Sequence, residues 1–167
     1  MDRETFPQNL EKPSLFNEAE RLRDQYGETK DLAIALGSFL YEHSHAFPQV
    51  YYPQSILESR FTPADEAFEK GMWSCGALVN MATLMLRHVG LQVKLIYGES
   101  IDSVDHSWIS LCDPKTNVWT EYDLMERDAH VPETNIKKGE TDSWDEMKVQ
   151  IKNDHETRGL RMKERGL

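Results

Sequence analysis

The chain has 167 residues, enough for one domain built around a single hydrophobic core. Its 29 Asp and Glu outnumber its 19 Lys and Arg, a formal net charge of -10 that works against binding a phosphate backbone, so nucleic acid is not an expected partner. No stretch approaches the roughly 20 apolar residues of a membrane helix, and Met1-Asp2-Arg3-Glu4 lacks the basic-then-apolar order of a secretory signal; a soluble, cytoplasmic protein with no membrane partner is expected.

Residues 1–13, with Pro7 and Pro13, read as an arm over the domain surface. Ser14 is placed to cap a short amphipathic helix that runs towards Tyr26 and stops at Gly27, and Thr29 to cap a second, whose Leu32, Ala33, Leu36, Phe39 and Leu40 recur at helical spacing. From Ser44 to Phe61 the chain is aromatic and broken by Pro48 and Pro53, as an ordered loop forming a cleft wall would be. Thr62-Pro63-Ala64-Asp65 starts a short helix that Gly71 closes. The segment from Cys75 to Val89, rich in Ala, Leu and Met and ended by Gly90, predicts a helix apolar nearly all round, which belongs at the centre of a domain.

After Gly90 the pattern changes. Leu91 to Gly98, His106 to Cys112 and Val118 to Leu124 read as strands separated by turns, so helices followed by an antiparallel meander predict an α+β architecture for the core over residues 14–125. Residues 126–167 read as a polar link and a charged helix, capped by Asp142 or Ser143, in which Trp144, Met147 and Ile151 either dock on the core or form a homodimer.

The two cysteines, Cys75 and Cys112, have no metal-ligand pair spacing and are too few for a disulfide scaffold. Cys75 stands where Trp73-Ser74-Cys75-Gly76 turns into the central helix, and backbone N–H groups at a helix start favour a thiolate. A nucleophile also needs a base and a group that holds the base. Of the six histidines, His43, His45, His88, His130 and His155 fall at helix ends or in polar segments, whereas His106 opens a strand and shares one face with Trp108. With a turn at Asp113-Pro114-Lys115-Thr116, residue 113 opposite 116, His106 falls opposite Asp123, with about 5 Å between Cβ atoms. Cys75 is therefore the expected nucleophile, His106 its base and Asp123 the group that orients the imidazole.

The segment from Gly71 to Leu124 resembles the core of the transglutaminase-like superfamily, in which a Cys opens a central helix, a His-x-Trp strand follows, and an Asp stands on the next strand. Here these are Cys75, His106 with Trp108, and Asp123, and the helix from Thr29 to Glu42 extends the likeness. The resemblance implies a papain-like α+β fold in permuted order, with the Cys helix packed on the sheet carrying His and Asp. It also implies acyl transfer or hydrolysis at amide bonds and no cofactor for the chemistry. Trp73 and Leu124 depart from the Gly and Pro that many relatives carry at those places.

An oxyanion hole would draw on the backbone N–H of Cys75, with Tyr51, Tyr52 and Gln54 as candidates for the second donor. Trp73 and Trp108 would line an acyl-binding groove or fill the core. Cys112 reads as a structural thiol, and Glu99, Asp102, Asp105, Asp113 and Glu121 as an acidic rim. The expected substrate is a peptide, a protein side chain or a small amide, and no metal is expected. Two other readings remain open: a non-catalytic binding module of the same fold, and a metal-binding regulator using His43, His45 and Cys75.

Overall fold

A computed structural model describes residues 14–153. The arm expected over 1–13 and the end of the C-terminal segment, with His155, lie outside the described residues. Five helices come first: α1 (Leu15–Tyr26), α2 (Lys30–His45), α3 (Ile56–Phe61), α4 (Ala64–Glu69) and α5 (Cys75–His88). Four strands follow, β1 (Val93–Ser100), β2 (Ser103–Cys112), β3 (Trp119–Tyr122) and β4 (Ile136–Thr141), and then a helix over 144–153, α6.

Several helix ends are set by the residues expected to set them. Ser14 Oγ accepts the N–H of Asn17 at 3.1 Å, and Gly27 follows α1 with φ 85°, in the left-handed region that glycine enters without a Cβ penalty. Thr29 departs from expectation, since its side chain makes no capping bond. The aromatic stretch holds a helix not foreseen there: Ser55 Oγ accepts the N–H of Glu58, while the Glu58 carboxylate reaches back to the N–H of Gln54 at 2.6 Å. That reciprocal pattern is a near variant of the capping box and starts α3.

The sheet has the order β3-β2-β1-β4 and every pairing is antiparallel. The sealed helix α5 packs against β1 and β2, where Leu78, Met81, Ala82, Met85 and Leu86 meet Val93, Leu95, Ile109 and Leu111 in the core. The expected α+β architecture, a central helix with Cys75 at its start lying on an antiparallel sheet, is the observed one.

The hairpin register differs from the expected one. Ser110 pairs with Glu121 and Cys112 with Trp119, so the β3 strand is displaced by two residues from the pairing that sets 106 opposite 123. The cause is a longer turn: Asp113 N–H bonds to Val118 O, Asn117 N–H to Asp113 O, and Asn117 takes a left-handed φ of 59°. Because side chains alternate with period two, a two-residue displacement keeps His106 and Asp123 on one face, now as diagonal neighbours.

β4 lies in the stretch read as a polar link. It pairs on the outer edge of β1 across a bulge at Tyr97/Gly98, so close that a Cβ on Gly98 would stand 2.2 Å from Ile136 O and 2.6 Å from Trp108 Cη2. Trp144, Met147 and Ile151 of α6 are buried in this same core, so the apolar face considered for a homodimer is occupied within the chain. Among the described residues, no helix is long and apolar enough to cross a membrane.

Candidate active site

Cys75 is the first residue of α5 and only partly buried. Ser74 sets it there: its Oγ accepts the N–H of Ala77 at 3.2 Å and lies 2.7 Å from Ser59 Oγ on α3. Gly76 is required next, because a Cβ at that position would meet Ser59 Oγ at 2.5 Å and the Ser59 carbonyl at 2.8 Å. Helices α3 and α5 thus touch at the backbone beside the cysteine.

His106 stands on β2 opposite Gly98, with its side chain 12% exposed. Its Nε2 is 2.6 Å from Asp123 Oδ2, and Asp123, 1% exposed, follows the last residue of β3. The carboxylate is held by two further donors: Asn135 Nδ2 to Oδ2 and Met125 N–H to Oδ1, both at 3.1 Å. With Nε2 on Asp123, Nδ1 is the ring nitrogen left for Cys75.

The charges of this group are coupled. Burial opposes protonation of His106, but its hydrogen bonds to Asp123 and Cys75 and the negative charge on both outweigh that, and its pKa is pushed up to about 10. Burial likewise opposes the Cys75 thiolate, yet the hydrogen bond and charge of His106, the charge of Arg60 and the backbone N–H of Ser107 hold the thiol below its ordinary range. Both directions favour the charged forms, a thiolate on Cys75 and an imidazolium on His106.

The remaining nominated residues fall in different places. Trp73 flanks Cys75 partly buried, with the rings of Tyr41 and His45 edge-on at 5.3 Å and its N–H bonded to Tyr51 O. Trp108 is 1% exposed, its ring 5.8 Å from that of His106 and its Nε1 donating to Glu121, so it packs beside the histidine and lines no open groove. Tyr51 donates its hydroxyl to Glu58 of α3, Gln54 donates to Tyr52 O and to Glu58, and Tyr52 is exposed; none of these bonds involves the cysteine sulfur. Cys112 is buried, with its thiol near Asn117 Oδ1 at 3.5 Å.

Two of the five acids of the expected rim are ion-paired, Glu121 with Lys137 at 2.9 Å and Glu99 with Lys138 at 2.6 Å, and Asp113 caps its own turn through the N–H of Lys115. His43 bonds to Phe68 O and stacks on the Phe68 ring, while His45 bonds to Tyr41 O. His43, His45 and Cys75 are not brought together, and among the described residues no group of three or more His, Cys, Asp or Glu is gathered to hold a metal ion. Two surface clefts of about 370 and 340 Å³ lie elsewhere, one between β4 and α6 and one at the β2–β3 hairpin; Cys75 lines neither.

Two residues of the site were not singled out in the sequence. Asn135, from the stretch read as a link, bonds Asp123. Arg60, on α3, is 1% exposed and reaches β2, donating from Nε to Ser107 Oγ at 3.1 Å and from Nη2 to His106 O at 3.3 Å.

No protein-family model matches the sequence. No curated protein matches it. Among solved structures, the fold is similar to that of a candidate cysteine protease from Cytophaga hutchinsonii, with a TM-score of 0.54 at 12% identity over 78% of this chain. The likeness is one of fold. The chain spans 45% of the length of that protein. Two structures of LapG from Legionella pneumophila, the first calcium-bound, align with TM-scores of 0.49 and 0.47 at 15% identity, over 76% and 74% of this chain and 74% and 65% of theirs.

Proposed function

We propose that the chain is a transglutaminase-like cysteine hydrolase or acyltransferase that acts on amide bonds of a peptide, a protein side chain or a small amide. The observation that carries this reading is the 2.6 Å bond between His106 and the buried Asp123, in a ring whose charge is coupled to that of a cysteine at the start of a helix. A fold shared with a candidate cysteine protease supports it.

In the proposed reaction the Cys75 thiolate attacks the carbonyl carbon and the π electrons move to oxygen. The backbone N–H of Cys75, in the first helical turn where no intrahelical acceptor exists, is placed to receive that oxyanion. On collapse the C–N bond breaks, and the leaving nitrogen takes the proton from His106 Nδ1, which leaves a thioester on Cys75. Neutral His106 then deprotonates water or an acceptor amine, which attacks the thioester; the C–S bond breaks and the thiolate–imidazolium pair is restored. Asp123 keeps the ring's orientation and stabilises its charged form throughout.

A burst of nitrophenolate from p-nitrophenyl acetate, with an acetyl mass on Cys75 after acid quench, tests this. The burst is expected in the wild type and in Cys112→Ala, and is lost in Cys75→Ala and His106→Ala. A folded wild-type protein that forms no acyl adduct on Cys75 would point instead to a binding module of the same fold.

A further inference from the structure

We propose that Arg60 is a positioning residue of this site, tying the strand that bears His106 to the start of the helix that bears Cys75 and keeping a buried positive charge beside the nucleophile. The inference rests on the reading of Cys75 as a nucleophile. Three contacts make Arg60 a bridge. Its backbone carbonyl accepts Asn80 Nδ2 of α5 at 2.5 Å, and its neighbour Ser59 lies against Gly76 and Ser74. Its side chain crosses to β2, binding the carbonyl of His106 and the hydroxyl of Ser107. Ser107 in turn offers its backbone N–H to the Cys75 sulfur. The planar, forked side chain thus binds the base and the residue after it, while the backbone of the same turn binds the helix of the nucleophile, a geometry that lysine's single ammonium cannot reproduce.

The electrostatic surroundings support the second half of the inference. The guanidinium lies over Tyr97 at 4.4 Å and Trp144 at 5.5 Å. A cation sealed to 1% exposure carries a desolvation cost that its bonds to β2 and the facing rings offset. Burial lowers the Arg60 pKa, while Cys75, Asp105 and Tyr97 are the groups whose charge opposes that. The Cys75 thiolate is therefore favoured from two sides, by His106 and by Arg60.

The test is iodoacetamide labelling of Cys75 between pH 4 and 9, read by mass spectrometry in the wild type, Arg60→Met and Arg60→Lys, with Cys112 as internal control. Arg60→Met is expected to move the acid limb up by about one pH unit, slowing labelling about tenfold on that limb, since loss of an adjacent opposite charge changes a pKa by that order. Arg60→Lys, which keeps the charge, is expected to leave the limb within about half a unit while lowering thermal stability. If Arg60→Met does not fold, Arg60→Gln carries the same expectation. A folded neutral variant with an unmoved limb, or a Lys variant that moves as far as Met, would overturn the inference. Wild-type Cys75 labelling no faster than Cys112 would instead remove the reading of Cys75 on which it rests.

Discussion

Replacing Asp123 with Asn keeps the shape of the side chain and removes one charge and one acceptor. The carboxylate receives three donors, His106 Nε2 and Asn135 Nδ2 on one oxygen and Met125 N–H on the other. An amide offers one oxygen, so one side must place its NH2 group against a donor. If the amide oxygen faces His106 and Asn135, the part-buried backbone N–H of Met125 is left open; if the NH2 faces His106, the ring must accept at Nε2 and hold its proton at Nδ1. Losing charge assistance and leaving one part-buried donor unmet amounts to about 2–4 kcal/mol. For a chain of this size each kcal/mol lowers the melting temperature by about 2–4 °C, so a fall on the order of 8 °C is expected. The His106 ring, pushed up to about 10 with Asp123 beside it, is expected to titrate well below that in the variant. Its Cε1–H resonance followed against pH by NMR, beside a thermal melt, reads both effects. A ring that still titrates near its wild-type value, with the melting temperature unchanged, would refute the assignment of Asp123 as its holder.

Cys75→Ala is expected to change how stability depends on pH. In the wild type, His106 keeps a proton above its ordinary 6.5, and Cys75 gives one up below its ordinary 9.0. Wherever within that interval the folded thiol is ionised, the two proton counts cancel, and the pair leaves stability level with pH. Without the thiol, His106 is still raised by Asp123: its stabilisation is complete below pH 6.5 and is lost as pH rises through its folded pKa, with a slope of up to about 1.4 kcal/mol per pH unit. The melting temperature of the variant relative to wild type is expected to fall from pH 6.5 to 9, and parallel curves would contradict the coupling. Gly98→Ala is expected to cost about 2 kcal/mol or more, because the new methyl meets Ile136 O and the Trp108 ring. Faster amide exchange along β4 than elsewhere in the sheet checks it, and a neutral effect would contradict the close approach.

The place of Cys75 at a helix start was legible in the sequence because the signals are local, the turn at Trp73-Ser74-Cys75-Gly76 and Gly90 as the stop; the cap made by Ser74 and the close approach at Gly76 emerge only in the structure. The shared face of His106 and Asp123 was also legible, since strand alternation needs only parity. Their register was not, because it depends on Asn117 entering the left-handed region and lengthening the turn. Helix α3 carried a readable start in Ser55 and Glu58, masked by the prolines and aromatics before it. β4 was hidden by its composition: Ile136-Lys137-Lys138-Gly139-Glu140-Thr141 is mostly solvent-facing, as an edge strand guarded by charge is. Arg60 and Asn135 had no signal at all. Their roles arise only when α3 meets β2 and when the chain after β3 folds back over Asp123.

The thiolate–imidazolium pair is tested most directly by the rate of iodoacetamide labelling at Cys75 against pH, compared with His106→Ala and with Cys112 in the same molecule. The account expects Cys75 to label faster than Cys112, to stay reactive below about pH 7, where an ordinary thiol of pKa about 8.5 slows, and to lose that reactivity without His106. Cys75 labelling at the rate of Cys112, unchanged by His106→Ala, would contradict it.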